Sequence, residues 1–254
     1  MKIKRYGWWP DLPDQRDAHY SAKPATLIAL PPSADLRSGC PAVYDQGDLG
    51  SCTANAIAAA IDFERAKQGL PFEGPSRLFI YYNERDMEGS VNDDSGACIR
   101  DGIKCVGKLG APPETLWPYD ITQFAVKPPD GVYVAAEKYQ VLRYMRIAHF
   151  ETQMKACLAE GYPIVFGFSV YSSFESPAVA STGDVPMPGP GEEQLGGHAV
   201  LCVGYDDATR RFLVRNSWGP SWGISGYCRM PYEYLTGRLA SDFWTIRLVE
   251  TGTD

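Results

Sequence analysis

The sequence has no apolar run approaching the ~20 residues that a membrane-spanning helix needs, so no membrane partner is expected. It has no basic tract either. Its 24 lysines and arginines face 31 aspartates and glutamates, a net charge of −7, and that balance argues against nucleic acid as a partner. None of its seven cysteines forms a Cys-x-x-Cys pair, so a structural zinc site is not expected, nor any other metal or cofactor. The start, Met1 to Pro10, is basic but is followed by prolines and aspartates rather than an apolar stretch. No secretory signal is therefore visible, and the expected location is the cytoplasm or an export route without one. Histidine is scarce: there are three, so each can be weighed as a catalytic base.

What is present is an ordinary globular composition, 44% hydrophobic and 22% charged over 254 residues, with ample material for a core. Residues 1–38 hold five prolines, the pair Trp8-Trp9 and the acidic series Asp11, Asp14, Asp17, and read as an extended strap anchored by its tryptophans. Residues 39–130 carry helices, predicted over 52–68, from Ser76 as N-cap, and over 97–109. From about 131 onward strands dominate. They are predicted over 137–145, 162–170, 198–205, 211–216, 226–230 and 243–249, with a short helix at 150–160 and a long loop from Ser172 to Gly197. Helices followed by strands indicate an α+β fold with a helical lobe (about 39–130) and a β lobe (about 131–254).

Gln46-Gly47-Asp48-Leu49-Gly50-Ser51-Cys52 is a glycine-rich turn that ends where the alanine-rich helix begins. A cysteine at a helix N-terminus meets free backbone N–H groups and the positive end of the dipole, which favour its thiolate. A cysteine opening an alanine-rich helix is otherwise simply a buried apolar residue. A nucleophile needs a base and an orienter for that base. His19 in the strap and His149 beside Phe150 read as surface or packing residues, whereas His198 follows two glycines and precedes an apolar strand. Asn216 ends another strand and can accept the imidazole N–H, with Trp218 and Trp222 shielding that bond from water.

These three segments resemble the motifs of the papain-like cysteine peptidases: Gln46 with Gly50-Ser51-Cys52, then Gly197-His198-Ala199-Val200 with Val203-Gly204-Tyr205, then Asn216 to Gly223 with Gly226-Tyr227. His198 lies 146 residues after Cys52, within the ~130–150 expected of such enzymes, and Asn216 lies 164 after it. The resemblance spans about residues 30–230, beginning with Leu30 to Arg37. It implies a two-lobed fold with a cleft between the lobes and an endopeptidase acting on protein or peptide substrates. By the same resemblance Cys52 is the nucleophile, His198 the base and then acid, Asn216 the orienter, and Gln46 an oxyanion donor beside the Cys52 N–H. Gly96, Gly197 and Trp218 are implied to line the bound substrate.

Three departures qualify this. Leu49 and Thr53 stand where many family members carry a cysteine and an aromatic residue, so the usual first disulfide is absent and a mostly reduced protein is expected. The N-terminal region is much shorter than a helical prodomain, and Trp9 to Asp17 resembles the front of bacterial members. The strap is expected to limit access to the cleft. An acyl transferase or deamidase built on the same triad, or an idle papain-like binding module, are the alternative functions.

Overall fold

The computed structural model describes residues 6–71 and 74–251, so the basic start from Met1 to Arg5 lies outside the described residues. From the N-terminal side come strand β1 (Trp8–Trp9), helix α1 (Pro24–Ile28) and strand β2 (Ser33–Asp35). Then follow α2 (Cys52–Lys67), α3 (Arg77–Glu88), the short strand β3 (Ala97–Cys98), α4 (Ile99–Lys108) and α5 (Asp130–Ala136). The second half supplies β4 (Val141–Arg146), α6 (Glu151–Ala159), β5 (Ile164–Tyr171), α7 (Pro177–Thr182) and β6 (Gln194–Asp206). It closes with β7 (Arg211–Arg215), β8 (Tyr227–Pro231), α8 (Tyr232–Thr236) and β9 (Ala240–Val249).

Helix α2 is buried from Cys52 to Arg65 on every face, because alanines at most turns let neighbours approach from all sides. It sits between α3 and α4 on one side and strands β6 and β9 on the other. Its first turn is tied to its surroundings: Asn55 Nδ2 donates to the Ser51 carbonyl at 2.9 Å, and Thr53 Oγ1 donates to Glu84 Oε1 at 2.6 Å. Burial raises the Glu84 pKa well above the usual carboxylate range, with the Thr53 hydrogen bond opposing. Thr53, one of the departures noted above, thus has its own buried partner. Helix α3 begins as expected, with Ser76 Oγ accepting from the Phe79 N–H at 3.1 Å.

Seven strands form one antiparallel sheet in the order β4-β9-β5-β6-β7-β8, with β2 adding to β6. The architecture is α+β and two-lobed, as the residue pattern implied. Three local expectations are corrected. The strand placed over 137–145 starts at Val141, because Glu137–Tyr139 continues α5 as a tight 3₁₀ turn. The long loop from Ser172 to Gly197 contains α7 and the first residues of β6, since Ser176 caps and Pro177 opens a helical turn. The strap is not wholly extended, as Pro24 likewise opens α1. The last strand inserts between β4 and β5 in mid-sheet. All seven cysteines are free thiols.

Candidate active site

Cys52 is the first residue of α2 and His198 lies on β6, where the strand faces that helix. Both are fully buried. His198 Nε2 donates to Asn216 Oδ1 at 2.8 Å, and the same oxygen accepts the Ser217 N–H at 2.8 Å. The donor therefore sits on Nε2, and Nδ1 is left a buried acceptor with no hydrogen-bond partner. The imidazole is held from its sides as well: the Trp218 ring lies 5.0 Å away and the Phe168 ring meets it edge-on at 5.7 Å. Trp218 and Trp222 pack as an edge-to-face pair at 5.3 Å, shielding the His198–Asn216 bond.

Gln46 is buried between the motifs. Its Nε2 donates to the Leu49 carbonyl at 2.9 Å, its Oε1 accepts from Ser217 Oγ at 2.6 Å, and its backbone N–H reaches the Ser217 carbonyl at 2.9 Å. One Nε2 hydrogen remains beyond the Leu49 bond. Gly50, just before the nucleophile turn, is fixed by its N–H to Asp94 at 3.0 Å. The other two histidines are elsewhere: His19 is exposed on the strap, and His149 Nε2 bonds the Leu235 carbonyl at 2.6 Å.

The strap runs through this site. Backbone N–H groups of Ala199, Gly7 and Thr53 lie near the Cys52 thiol and favour its thiolate. The Gly7 carbonyl accepts the Ala97 N–H at 2.7 Å, and β1 then pairs with β3 in parallel. A side chain at position 7 would meet the Gly50 carbonyl oxygen at 1.7 Å, and one at position 96 would meet Gly7 at 2.2 Å. Tyr6 packs on the other side of the cleft, 6.1 Å from the His198 ring, and its hydroxyl donates to Glu175. Trp8 is buried against Gly167 and Gly197, which leave room for its ring and carbonyl. Of the two expected anchors, Trp8 alone is buried. Trp9 is 59% exposed and holds on by its indole N–H, which donates to the Ser95 carbonyl at 2.5 Å.

This covering changes the electrostatics expected of the nucleophile. Burial pushes the Cys52 thiol up to about 12, against the downward pull of the three N–H groups. Burial also pushes the His198 imidazole down to about 4, with the Asn216 bond opposing. Burial under the strap thus favours the neutral forms of both groups, against the thiolate that the helix end favours. Desolvation outweighs the helix dipole.

Beyond Gly7 the strap is clasped by charge. Asp17 pairs with Arg100 at 2.7 Å, and Arg146 bridges Asp11 (3.2 Å), Asp17 (3.3 Å) and Asp242 (2.7 Å), with all three carboxylates buried. The Trp244 indole N–H donates to Asp11 at 3.1 Å. Sequence reading noted the acidic series but not these partners, which lie 83 to 233 residues away along the chain. It also missed Gly7 and Gly167, whose signal was a bare residue beside a tryptophan pair and a glycine inside an apolar strand.

Beside the strap lies a cavity of about 770 Å³ whose walls include Leu195, Gly196, Arg238 and Ser241. Leu195 lines this cavity, whereas Phe168 packs edge-on against the His198 ring. Among the described residues one trio of potential metal ligands, Glu88, Cys98 and Asp101, falls within 4.8 Å of one another. Glu88 is engaged there with the Cys98 backbone N–H at 2.7 Å.

The family model described as papain family cysteine protease matches residues 89–241. A peptidase C1-like protein of Acanthamoeba polyphaga mimivirus is 48% identical over 215 residues, covering 81% of this chain and 69% of that protein. Cathepsin B-like CP3 of Giardia intestinalis is 29% identical over 75% of this chain and 64% of its own length. Among solved structures, xylellain, a cysteine protease from Xylella fastidiosa, superposes with a TM-score of 0.90 at 48% identity, covering 98% of this chain and 100% of that one.

Proposed function

The chain belongs to the papain family of cysteine proteases and is a peptidase acting on proteins or peptides, and from that premise we propose a role for each residue of the site. Cys52 is the nucleophile: its sulfur attacks the scissile carbonyl carbon while His198 Nδ1 takes the thiol proton. The imidazolium then gives that proton to the departing amine, and a thioester on Cys52 remains. Water adds to the thioester with Nδ1 as base, releasing the acid and restoring the thiol. Asn216 positions the imidazole through Nε2. The Cys52 N–H and the remaining Gln46 Nε2 hydrogen stabilise the oxyanion in both steps. The observation that carries this reading is the His198–Asn216 bond, because it fixes the tautomer that leaves Nδ1 free to accept a proton.

Residues 1–38 act as a built-in gate on residues 39–254, and Gly96, Gly197 and Trp218 border the substrate path that the strap occupies. Cleavage would be of bonds inside polypeptides. Hydrolysis of a peptide panel by the full chain and by a chain beginning at Pro10 tests both parts. Cys52→Ala should lower the rate at least about 10⁴-fold in either background. Equal residual activity in Cys52→Ala would remove Cys52 from the mechanism.

A further inference from the structure

On the face away from the cleft, a second pocket of about 600 Å³ lies between the strap and the body. His19 and Lys23 line it from the strap, Lys67 from the end of α2, Arg143 from β4, and Arg247 from β9. Glu160 is the one carboxylate among its lining residues, and that charge is already engaged. It pairs with Arg247 at 3.3 Å and also accepts from the Lys23 backbone N–H and Thr26 Oγ1, each at 3.2 Å. The Lys67 ammonium donates to the Gly161 carbonyl at 2.7 Å and stands 3.0 Å from the Tyr162 ring centroid, with the Glu64 carboxyl as its acidic neighbour on α2. The exposed heads of Lys23 and Arg143 have no side-chain partner among the described residues.

Two of the four lysine and arginine side chains, Lys23 and Arg143, thus face one concavity without an acidic counterpart, beside Lys67 and Arg247, on a chain whose net charge is −7. Like charges gathered in a recess repel one another, and a recess focuses their field outward. An anion bearing several charged oxygens would offset that repulsion. Arginine and lysine together supply both the forked and the point-charge donors that phosphate oxygens accept.

We propose that this pocket binds a small compound carrying two or more phosphate charges, seated among Lys23, Lys67 and Arg143. Such a ligand bridges strap and body, since Lys23 belongs to one and Lys67, Arg143 and Arg247 to the other. It therefore steadies the strap over the cleft. That consequence rests on the gating role given above; the binding itself does not.

Titration calorimetry of the full chain with inorganic diphosphate, at fixed ionic strength set by chloride, tests the site. We expect saturable one-to-one binding that weakens at least tenfold in Lys23→Glu/Arg143→Glu and, more mildly, in Lys23→Gln/Arg143→Gln. Both side chains are exposed, and the milder pair guards against a folding defect. Absence of binding, or binding that the substitutions leave unchanged, overturns the site. Diphosphate should also slow iodoacetamide labelling of Cys52 in the full chain. Unchanged labelling with diphosphate bound overturns the link to the strap while leaving the site standing.

Discussion

Two stretches of the same strap are held in different ways. Tyr6 to Trp9 is held by fit: bare glycines on three sides, a backbone pairing with β3 and one buried indole. Asp11 to Asp17 is held by charge, in a buried cluster with Arg100, Arg146 and Asp242. Fit is defeated by a single added carbon at the right place, whereas a buried ion cluster fails badly once one partner is removed. In the gating role proposed above, the stretch over the cleft is the one to be displaced, and the stretch after it keeps the displaced segment nearby.

The largest effect should come from the cluster. Arg100→Ala leaves Asp17 buried without its partner and should cost about 3–5 kcal/mol, read as a lowered midpoint in urea unfolding. A loss below about 1 kcal/mol would mean that charge is not what clasps the strap. Next comes the covered imidazole. Burial lowers the His198 pKa from 6.5 to about 4, so the covered state is favoured above pH 6.5 and loses that contribution as pH falls towards 4. With three histidines in the chain, proton NMR can follow each. The His198 midpoint should lie near 4 in the full chain and rise towards 6.5 or beyond in a chain beginning at Pro10. Identical midpoints would show that the strap does not control access of water to the site.

Gly7→Val is the sharper test of fit. The added side chain cannot coexist with the Gly50 carbonyl, so labelling of Cys52 at pH 7 should rise about tenfold or more, worth roughly 1.4 kcal/mol. Global stability should stay close to that of the parent because the ion cluster is untouched. The smallest effect belongs to Arg16, whose side chain is 86% exposed where it pairs with Asp14. Arg16→Ala should leave the melting temperature and the labelling rate unmoved, since exposed pairs contribute little. A clear change in either would blur the division between fit and charge.

The chemistry of the site was legible because it depends on residue types at fixed local positions. A cysteine at a helix start, a histidine after two glycines and an asparagine at a strand end can each be read within a few residues. The sheet order was not legible in the same way. β9 comes last in the chain yet lies between β4 and β5, a choice made by packing on α2 rather than by neighbours in sequence. The strap was visible as a proline-rich stretch, but its path depends on Gly96, Gly167 and Gly197, which fold against it from distant parts of the chain. The burial that raises the Cys52 pKa was hidden for the same reason: a helix end is local, while the cover that desolvates it is not.

The pairing of β2 with β6 has one more consequence. Ser33 to Asp35 stitches the end of the strap into the strand that carries His198, and the Leu36 N–H adds a bond to the Val203 carbonyl at 2.8 Å. If the strap gates the cleft as proposed, Tyr6 to Trp9 remains on a leash when it leaves, and its return is a unimolecular event. Its effective concentration over the site is set by the tether, on the order of millimolar for a short flexible linker. Dilution alone would not switch the enzyme on. A single nick between Ala22 and Ser33 would change that, turning a captive cover into a separate peptide whose hold weakens as the solution is thinned.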